Sequence, residues 1–290
     1  MNYFYSLINF ILDILFPIKC LGCGREFEDR EPKERWICKN CLDGIIIRKE
    51  QVCPVCEKES EGGKTCYHCR EKTDLDGLWV SSEYSDVLLS KAIHKFKFSF
   101  VRDLSYPLSK IILKSVLEQE EFSDFQDLLF SRSAQNLEED DENKSFSNSA
   151  KSFRTIIIPV PLHRRRYNWR GFNQSELLAN EIAKKSNLEV NNNLLVRWRN
   201  TKPQTKIKSM AERKKNIKGA FKINQANQIN WGHIKPVEGN NNIPERKILE
   251  NKNIIIVDDV CTTLATLNEC AAVIKKAGAK KVWGLVVARR

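Results

Sequence analysis

Four CxxC pairs within the first 70 residues constrain the fold of this chain more than any other feature of its sequence. The pairs are Cys20/Cys23, Cys38/Cys41, Cys53/Cys56 and Cys66/Cys69. A CxxC turn brings two thiolates to one side of a tight hairpin, and two such hairpins complete a closed tetrahedral Zn²⁺ site. About 70 residues can barely supply an adequate hydrophobic core, so structural metal is the expected substitute. The sequence therefore predicts two structural zinc ions.

The spacing leaves two ways of pairing the four CxxC motifs. Sequential pairing joins the first motif to the second and the third to the fourth. An interleaved cross-brace joins the first to the third and the second to the fourth. The entropy cost of closing a loop grows with its length, and sequential pairing closes the shorter loops. We therefore favour the sequential arrangement and keep the cross-brace as the alternative.

The N-terminal stretch at residues 3–16 comes closest to a membrane span but does not qualify as one. Asn9 and Asp13 interrupt it, and no run of 18 apolar residues occurs in the sequence. It also lacks the basic start and the small-residue cleavage site of a signal peptide. We expect a short helix that docks on its own protein, with a membrane-surface role as the alternative. The protein is accordingly predicted to be cytoplasmic, where cysteines bind metal more often than they form disulfides.

The net charge of +11 is distributed unevenly along the chain. Residues 154–223 contain 17 lysines and arginines against four glutamates, whereas residues 118–142 contain ten acids and a single arginine. A contrast of this size indicates a surface for a polyanion or for phosphate groups. The acidic stretch leads into Ser/Asn-rich sequence without periodicity, so residues 131–152 are predicted to be a disordered loop. The Asn-rich segment at 224–252 is predicted to be a second loop.

Beyond residue 78, buried strands alternate with helices. Strands are predicted at 78–82, 155–160, 253–257 and 282–288, and helices at 87–96, 105–117, 173–185 and 266–277. Apolar runs separated by helices are typical of an α/β fold, with a mostly parallel sheet and helices on both of its faces. The chain is therefore predicted to comprise a zinc-binding unit at 1–77 and an α/β domain at 78–290.

The strand at 253–257 leads into the most informative loop of the sequence. Two acids follow the strand directly, and a hydroxyl-rich turn then opens the next helix. Backbone N–H groups at such a turn can hold phosphate, while acids at the carboxyl end of a strand can bind a sugar diol or hold Mg²⁺ through water. The predicted catalytic residues are Asp258 and Asp259. The predicted phosphosugar contacts are Thr262, Thr263, Leu264, Ala265 and Thr266.

A cluster of arginines follows the strand at 155–160 and should project from the same edge of the sheet. Its members are Arg164, Arg165, Arg166 and Arg170. Arginine suits bidentate contacts to phosphate, so the cluster is a candidate for phosphosugar binding. With Tyr167 and Trp169 between them, the same arginines equally suit single-stranded DNA, whose bases stack on aromatic rings. Further candidate contacts to nucleic acid are Arg199, Lys202, Lys206 and Arg213.

The stretch from Ile254 to Thr266 resembles the signature of type I phosphoribosyltransferases that binds phosphoribosyl pyrophosphate (PRPP). The resemblance implies that the two acids contact the ribose hydroxyls, that the threonine-rich loop wraps the 5-phosphate, and that Mg²⁺ accompanies PRPP. That family has glycine where this chain has Leu264. Leucine disfavours positive φ and brings a Cβ atom toward the ligand, so we expect it to weaken phosphate binding.

Longer motifs resemble the ComF family of competence proteins. They are Pro159 to Ala179, which contains the sequence RRRYNWRGFNQSE, and Arg199 to Gln204, together with the four CxxC pairs. A third element, Lys97 to Phe100, lacks the glycine with which the family usually ends it. The resemblance implies a double zinc ribbon fused to a phosphoribosyltransferase-like domain. It also implies a role in natural transformation, with incoming single-stranded DNA handled in the cytoplasm beside a helicase-like partner.

Three hypotheses about function follow from these patterns. The chain is a competence protein that binds single-stranded DNA and a PRPP-like phosphosugar on a transferase fold. Alternatively, it is an active PRPP-dependent phosphoribosyltransferase of the amidophosphoribosyltransferase kind. The third hypothesis, compatible with the first, is a zinc-ribbon adaptor that recruits the helicase-like partner.

Overall fold

A computed structural model describes most of the chain, namely residues 17–27, 35–119, 123–130, 154–202, 207, 209–224 and 248–290. The predicted N-terminal helix, the predicted loop at 131–152 and Lys206 lie outside these ranges, as does most of the predicted loop at 224–252. Within the described ranges, no helix is both long enough and apolar enough to cross a bilayer.

A five-stranded sheet with all neighbouring strands parallel forms the centre of the fold. In chain order the strands are β1 (Gly77–Glu83), β2 (Arg154–Pro159), β3 (Glu189–Val190), β4 (Leu195–Arg197), β5 (Phe221–Ile223), β6 (Lys252–Cys261) and β7 (Lys281–Arg289). The parallel sheet has the order β1-β7-β6-β2-β3, and β4 pairs with β5 in a separate antiparallel hairpin. Strand β6 therefore has a partner on each side.

The predicted α/β fold class is confirmed, because the strands carry apolar residues on both faces and helices cover each face. The helices are α1 (Lys39–Asp43), α2 (Val87–Phe98), α3 (Ser105–Leu117), α4 (Asp124–Leu129), α5 (Arg164–Arg170), α6 (Gln174–Ser186), α7 (Met210–Ile217) and α8 (Ala265–Lys276). Helices α2, α3 and α6 bury one face of the sheet against Ile255 and Leu285. Helix α8 and the β4–β5 hairpin bury the other face against Ile254 and Ile256. Isoleucines that are adjacent in β6 thus belong to opposite cores, as the period of a strand requires.

The cysteine-rich region packs directly on the sheet domain. Leu21, Ile37 and Ile45 are buried in the same apolar cluster as helices α2 and α3. Gln51 extends the edge of the sheet, since its side chain accepts a hydrogen bond from the N–H of Val80 and donates one to the carbonyl of the same residue, both at 3.1 Å. This contact satisfies backbone groups of the edge strand β1 that would otherwise be unpaired.

Candidate functional site

The eight paired cysteines form two compact clusters. One contains Cys20, Cys23, Cys38 and Cys41, and the other contains Cys53, Cys56, Cys66 and Cys69; within each cluster the sulfur atoms all lie within 4.8 Å of one another. The sequential pairing predicted from loop entropy is therefore confirmed, and the cross-brace is excluded.

The geometry of each cluster fits zinc. The Sγ atoms of Cys23 and Cys38 are 3.8 Å apart, as are those of Cys56 and Cys66. A tetrahedral site with Zn–S bonds of about 2.3 Å has sulfur–sulfur edges of about 3.8 Å, whereas a disulfide needs about 2.05 Å. In each ribbon a backbone N–H also donates to a sulfur atom, from Cys38 to Cys20 at 3.3 Å and from Cys66 to Cys53 at 3.4 Å. The four thiolates can therefore hold a structural zinc ion with no position left open for catalysis.

The thiols of each cluster differ in acidity. Burial raises the pKa of Cys20 and of Cys53, but backbone N–H donors outweigh it and hold both pKa values at about 6. Burial and the neighbouring cysteines raise the pKa of Cys41 and of Cys69 to about 12. Without metal, each cluster keeps protons on some of its sulfur atoms at neutral pH. Zinc binding must release those protons, so it weakens as the pH falls.

The acid pair lies near the carboxyl end of the central strand β6, but inside the strand rather than directly after it, because β6 stays paired with β7 as far as Cys261. The side chain of Asp258 accepts hydrogen bonds of 2.9 Å from the Ser175 hydroxyl and from the backbone N–H of Asp259. Asp259 is buried, and its Oδ1 lies 2.8 Å from the Nζ atom of Lys97, near the end of helix α2. Three elements of the fold, α2, α6 and β6, thus hold the two carboxylates in place.

The Asp258 carboxyl is held in an environment that disfavours its charge. Burial and the charge of Asp259 raise the pKa of Asp258 to about 7, although Lys97 and the Ser175 hydroxyl act in the opposite direction. A bound cation or a hydrogen-bond donor such as a sugar hydroxyl would relieve this penalty. The site is therefore suited to a ligand that brings positive charge or hydroxyl groups to Asp258.

Arg170 and Arg197 lie near the acid pair, since the charge of Asp258 acts on both, and Arg166 lies near these two arginines; all three are half-buried or buried. Burial lowers the pKa of Arg166 and of Arg170, and burial together with the charge of Arg166 lowers that of Arg197 to about 10. Arg166 donates to the carbonyl of Thr201 at 3.0 Å, and Arg197 donates to the hydroxyl of the same residue. The Nε atoms of Arg170 and Arg197 are buried with no hydrogen-bond partner among the described residues. Buried donors of this kind are costly unless a ligand satisfies them, and an anion is the ligand that suits them best.

The threonine-rich turn connects β6 to helix α8, as predicted, but it is strained. Leu264 precedes the helix with φ of +57°, in the left-handed region that leucine disfavours. Leu264 has no polar side chain with which to cap this helix start. The first N–H groups of the helix are therefore suited to bind a phosphate, next to Thr262 and Thr263.

Some of the predicted basic residues are exposed, whereas others donate hydrogen bonds to backbone carbonyl groups. Arg164 and Arg165 are exposed in the first turn of helix α5, a helix that the sequence pattern does not predict. Arg199 donates to the carbonyls of Asn216 and Lys218, and Arg213 donates to that of Ile207 at 2.9 Å. These last two arginines stabilise the segment around the hairpin, which leaves them less free to contact a ligand.

Three residues of the site are not among those predicted from the sequence. Lys97, Ser175 and Arg197 are brought to the acid pair by the fold. Lys97 and Ser175 belong to motifs that carry the family resemblance, so that membership was an available signal. Arg197 stands only two residues before the predicted contact Arg199, and nothing in its local sequence marks it as buried.

Comparison with known proteins gives a consistent result. The family model of a double zinc ribbon domain matches residues 11–70. Competence protein F of Haemophilus influenzae is 25% identical over 265 residues, which is 86% of this chain and 95% of that protein. Competence protein ComFC of Bacillus subtilis is 22% identical over 268 residues, 89% of each chain. The chain is thus similar to competence proteins over most of its length.

Further relatives of this chain are DNA utilization proteins. DNA utilization protein YhgH of Escherichia coli K12 is 26% identical to this chain over 267 residues, 86% of this chain and 96% of that protein. Because these alignments cover nearly the full length of the relatives, the ComF resemblance extends over both the zinc ribbons and the sheet domain.

We predict two zinc ions per chain, one in each cluster. Replacing Cys41→Ser should reduce the content to one, because only three thiolates then remain to close the first site. Elemental analysis of the purified protein measures this directly. Cys261→Ala, outside both clusters, is the control and should retain two ions. A parent with fewer than two ions after reconstitution with zinc would contradict the prediction.

We also predict that Asp258→Asn stabilises the fold in alkaline solution. Since the folded pKa is raised to about 7, the parent loses stability as the pH rises from about 4, the unfolded value, through 7. The asparagine variant should therefore gain about 1–3 kcal/mol in free energy of unfolding at pH 8, a gain that vanishes below pH 4. Urea denaturation at several pH values measures it. Asp103→Asn, at an exposed site, should show no such trend; an equal trend there would refute the assignment.

Proposed function

We propose that this ComF-like chain binds single-stranded DNA and a phosphosugar of the PRPP type at the carboxyl edge of its sheet, as part of DNA uptake or utilisation. One observation carries the proposal: a cluster of three half-buried or buried arginines, two of them within electrostatic reach of the two carboxylates, accompanies a helix start that has no polar cap residue. An anion that also carries hydroxyl groups matches both charges of this site, because the arginines bind its phosphate and the acids bind its hydroxyls.

A phosphosugar would use the two parts of the site separately. Its 5-phosphate would contact the N–H groups at the start of helix α8 and the hydroxyls of Thr262, Thr263 and Thr266. Its ribose hydroxyls would donate to Asp258 and Asp259, and its pyrophosphate would contact Arg166 and Arg170. Mg²⁺ would neutralise the pyrophosphate, held by the acids through water.

Single-stranded DNA would use the outer surface of the same region. The names of the relatives, competence protein and DNA utilization protein, support a DNA ligand. Arg164 and Arg165 are exposed on helix α5, next to the exposed ring of Trp169. An arginine beside an aromatic ring can follow the backbone of a single strand while a base stacks. The family resemblance further predicts a helicase-like partner, for which the zinc ribbons would serve as the docking module.

A specific observation favours an active transferase as a second candidate. The pKa of about 7 keeps Asp258 close to the pH at which a general acid or base is most effective. A transferase would release pyrophosphate from PRPP in the presence of Mg²⁺ and ammonia, and Asp258→Asn would abolish that release. If PRPP binds but no pyrophosphate is released, the transferase candidate fails and only the binding function remains.

Calorimetry with PRPP tests the phosphosugar site. We expect Asp258→Asn combined with Asp259→Asn to abolish binding that depends on Mg²⁺ while zinc content stays at two. We expect Leu264→Gly to bind about fivefold more tightly, because glycine adopts the observed φ of +57° and removes the Cβ atom that leucine brings toward the ligand. If neither the parent nor the glycine variant binds PRPP, the phosphosugar part of the proposal fails.

Salt-dependent binding of an oligonucleotide tests the DNA surface. Replacing Arg164→Ala with Arg165→Ala should weaken binding and lower the slope of log affinity against log salt by about 0.7 for each phosphate that the variant no longer neutralises. The matched control is Lys184→Ala with Lys185→Ala, an equal reduction of charge at the far end of helix α6. Equal effects of the two double variants would show that net charge alone governs binding.

A further inference from the structure

Three partly exposed aromatic rings lie near Arg170 and the acid pair: Phe100 and Trp169 are in contact, and Phe98 and Trp169 both lie close to the Arg170 guanidinium. Phe98 is 47% exposed, Phe100 is 41% exposed and Trp169 is 62% exposed. The rings of Phe100 and Trp169 meet edge to face, with centroids 5.1 Å apart and an interplanar angle of 78°. Large apolar rings that cluster on a surface mark a binding site more often than isolated ones do. We call these three residues the aromatic platform.

The platform includes a residue in a strained conformation. Phe100 follows the C-cap of helix α2 with φ of +57°, in the left-handed region. Glycine ordinarily fills such a position, because a bulky side chain there brings Cβ too close to the backbone. A glycine would make the same turn without strain, so the turn itself does not require phenylalanine. What the phenylalanine adds is an exposed ring, and strain maintained for a side chain points to a role of that side chain in function.

Arg170 connects the platform to the acid pair. Its guanidinium carbon lies 5.8 Å from the ring centre of Phe98 and 5.9 Å from that of Trp169. The charges of Asp258 and Asp259 act on the same guanidinium. A ligand that extends from the anion site onto the rings would therefore pass this arginine.

Basic groups flank the platform on both sides along the chain. Lys97 precedes Phe98 and pairs with Asp259. Arg102 follows Phe100, is exposed, and donates to the carbonyl of Gly171 at 2.6 Å, which fixes the loop that follows helix α5. Aromatic rings bordered by positive charge match a ligand with flat apolar faces joined by phosphates. Single-stranded DNA has this chemistry, whereas the bases of a duplex have their faces covered.

We propose that the aromatic platform of Phe98, Phe100 and Trp169 stacks the bases of single-stranded DNA whose phosphates contact the neighbouring arginines, an inference that rests on the DNA binding proposed above. Stacking on such rings is tolerant of sequence, since each base presents a π face. The platform would therefore bind single strands without selecting their sequence. It also places the strand beside the phosphosugar site, so that occupancy of one site can affect the other through Arg170.

The experiment compares two 15-mers on the full-length zinc-loaded chain. One is oligo(dT) and the other is an abasic strand with the same number of phosphates. We expect the parent to bind oligo(dT) about tenfold more tightly than the abasic strand, and Phe100→Gly with Trp169→Ala to bind the two strands equally. Tyr67→Ala, at an exposed ring on the second zinc ribbon, is the matched control and should keep the preference.

The single variant Phe100→Gly separates a role in binding from a role in stability. It should reduce the preference for oligo(dT) while the melting temperature stays the same or rises, because glycine relieves the strain at φ of +57°. A residue that is important only for folding would reduce stability and binding together when replaced, and that result would overturn the proposal.

Three further results would also overturn it, each in a distinguishable way. If the parent binds both strands equally, the platform does not stack bases, although the phosphate surface proposed above still stands. If neither oligonucleotide binds, both the proposed DNA function and the proposed role of the platform are wrong. If sedimentation shows that the parent self-associates and Phe100→Gly is monomeric, the platform is an interface between copies of the chain.

Discussion

Two carboxylates lie side by side near the end of the buried strand β6, and the surrounding side chains offset the repulsion between them. Like charges this close disfavour ionisation, and burial adds to the penalty, which is why the pKa of Asp258 rises to about 7. Lys97 provides one counter-charge at 2.8 Å from Asp259, and Arg170 adds a second at longer range. Helices α2 and α5 carry these groups, so their positions relative to β6 decide whether the acid pair can exist.

The zinc ribbons address a different problem, that of stabilising a short N-terminal region. Two closed sets of four thiolates hold the turns of the ribbons, while Leu21, Ile37 and Ile45 bury their side chains in the core of the sheet domain. Arg289, at the end of β7, also donates to the carbonyl of Pro54 and pairs with Glu57. The zinc ribbons thus contact the sheet domain both through its core and at the end of β7, and they contribute to the stability of the domain on which they pack.

Two residues beside the candidate site occupy left-handed positions where the resembled families have glycine. Leu264 and Phe100 both have φ of +57°. The consequences differ because the side chains face different surroundings. The half-buried Leu264 stands at the start of helix α8, where the phosphate loop needs room for a ligand. Phe100 places an exposed ring against Trp169 and enlarges a surface. At equally strained positions, the side chain of Leu264 therefore takes up space in the phosphate loop, whereas that of Phe100 adds a ring to the aromatic platform.

Local patterns in the sequence were enough to predict the zinc clusters, the parallel sheet and the acid pair. The pairing of the CxxC motifs followed from loop length, and the position of Asp258 and Asp259 followed from the apolar run before them. The sequence did not reveal helix α5, because its residues Arg164 to Arg170 contain no buried side chain that would give a helical period. The sequence also could not show that Lys97, Ser175 and Arg197 are neighbours of the acids, because they are distant along the chain. Ser175, for example, is 83 positions from Asp258. Residue types and their local spacing are properties of the chain itself, so they determined the metal ligands and the strand-end carboxylates. Which charges meet those carboxylates depends on the crossing of distant helices over the sheet, and only the tertiary structure decided that.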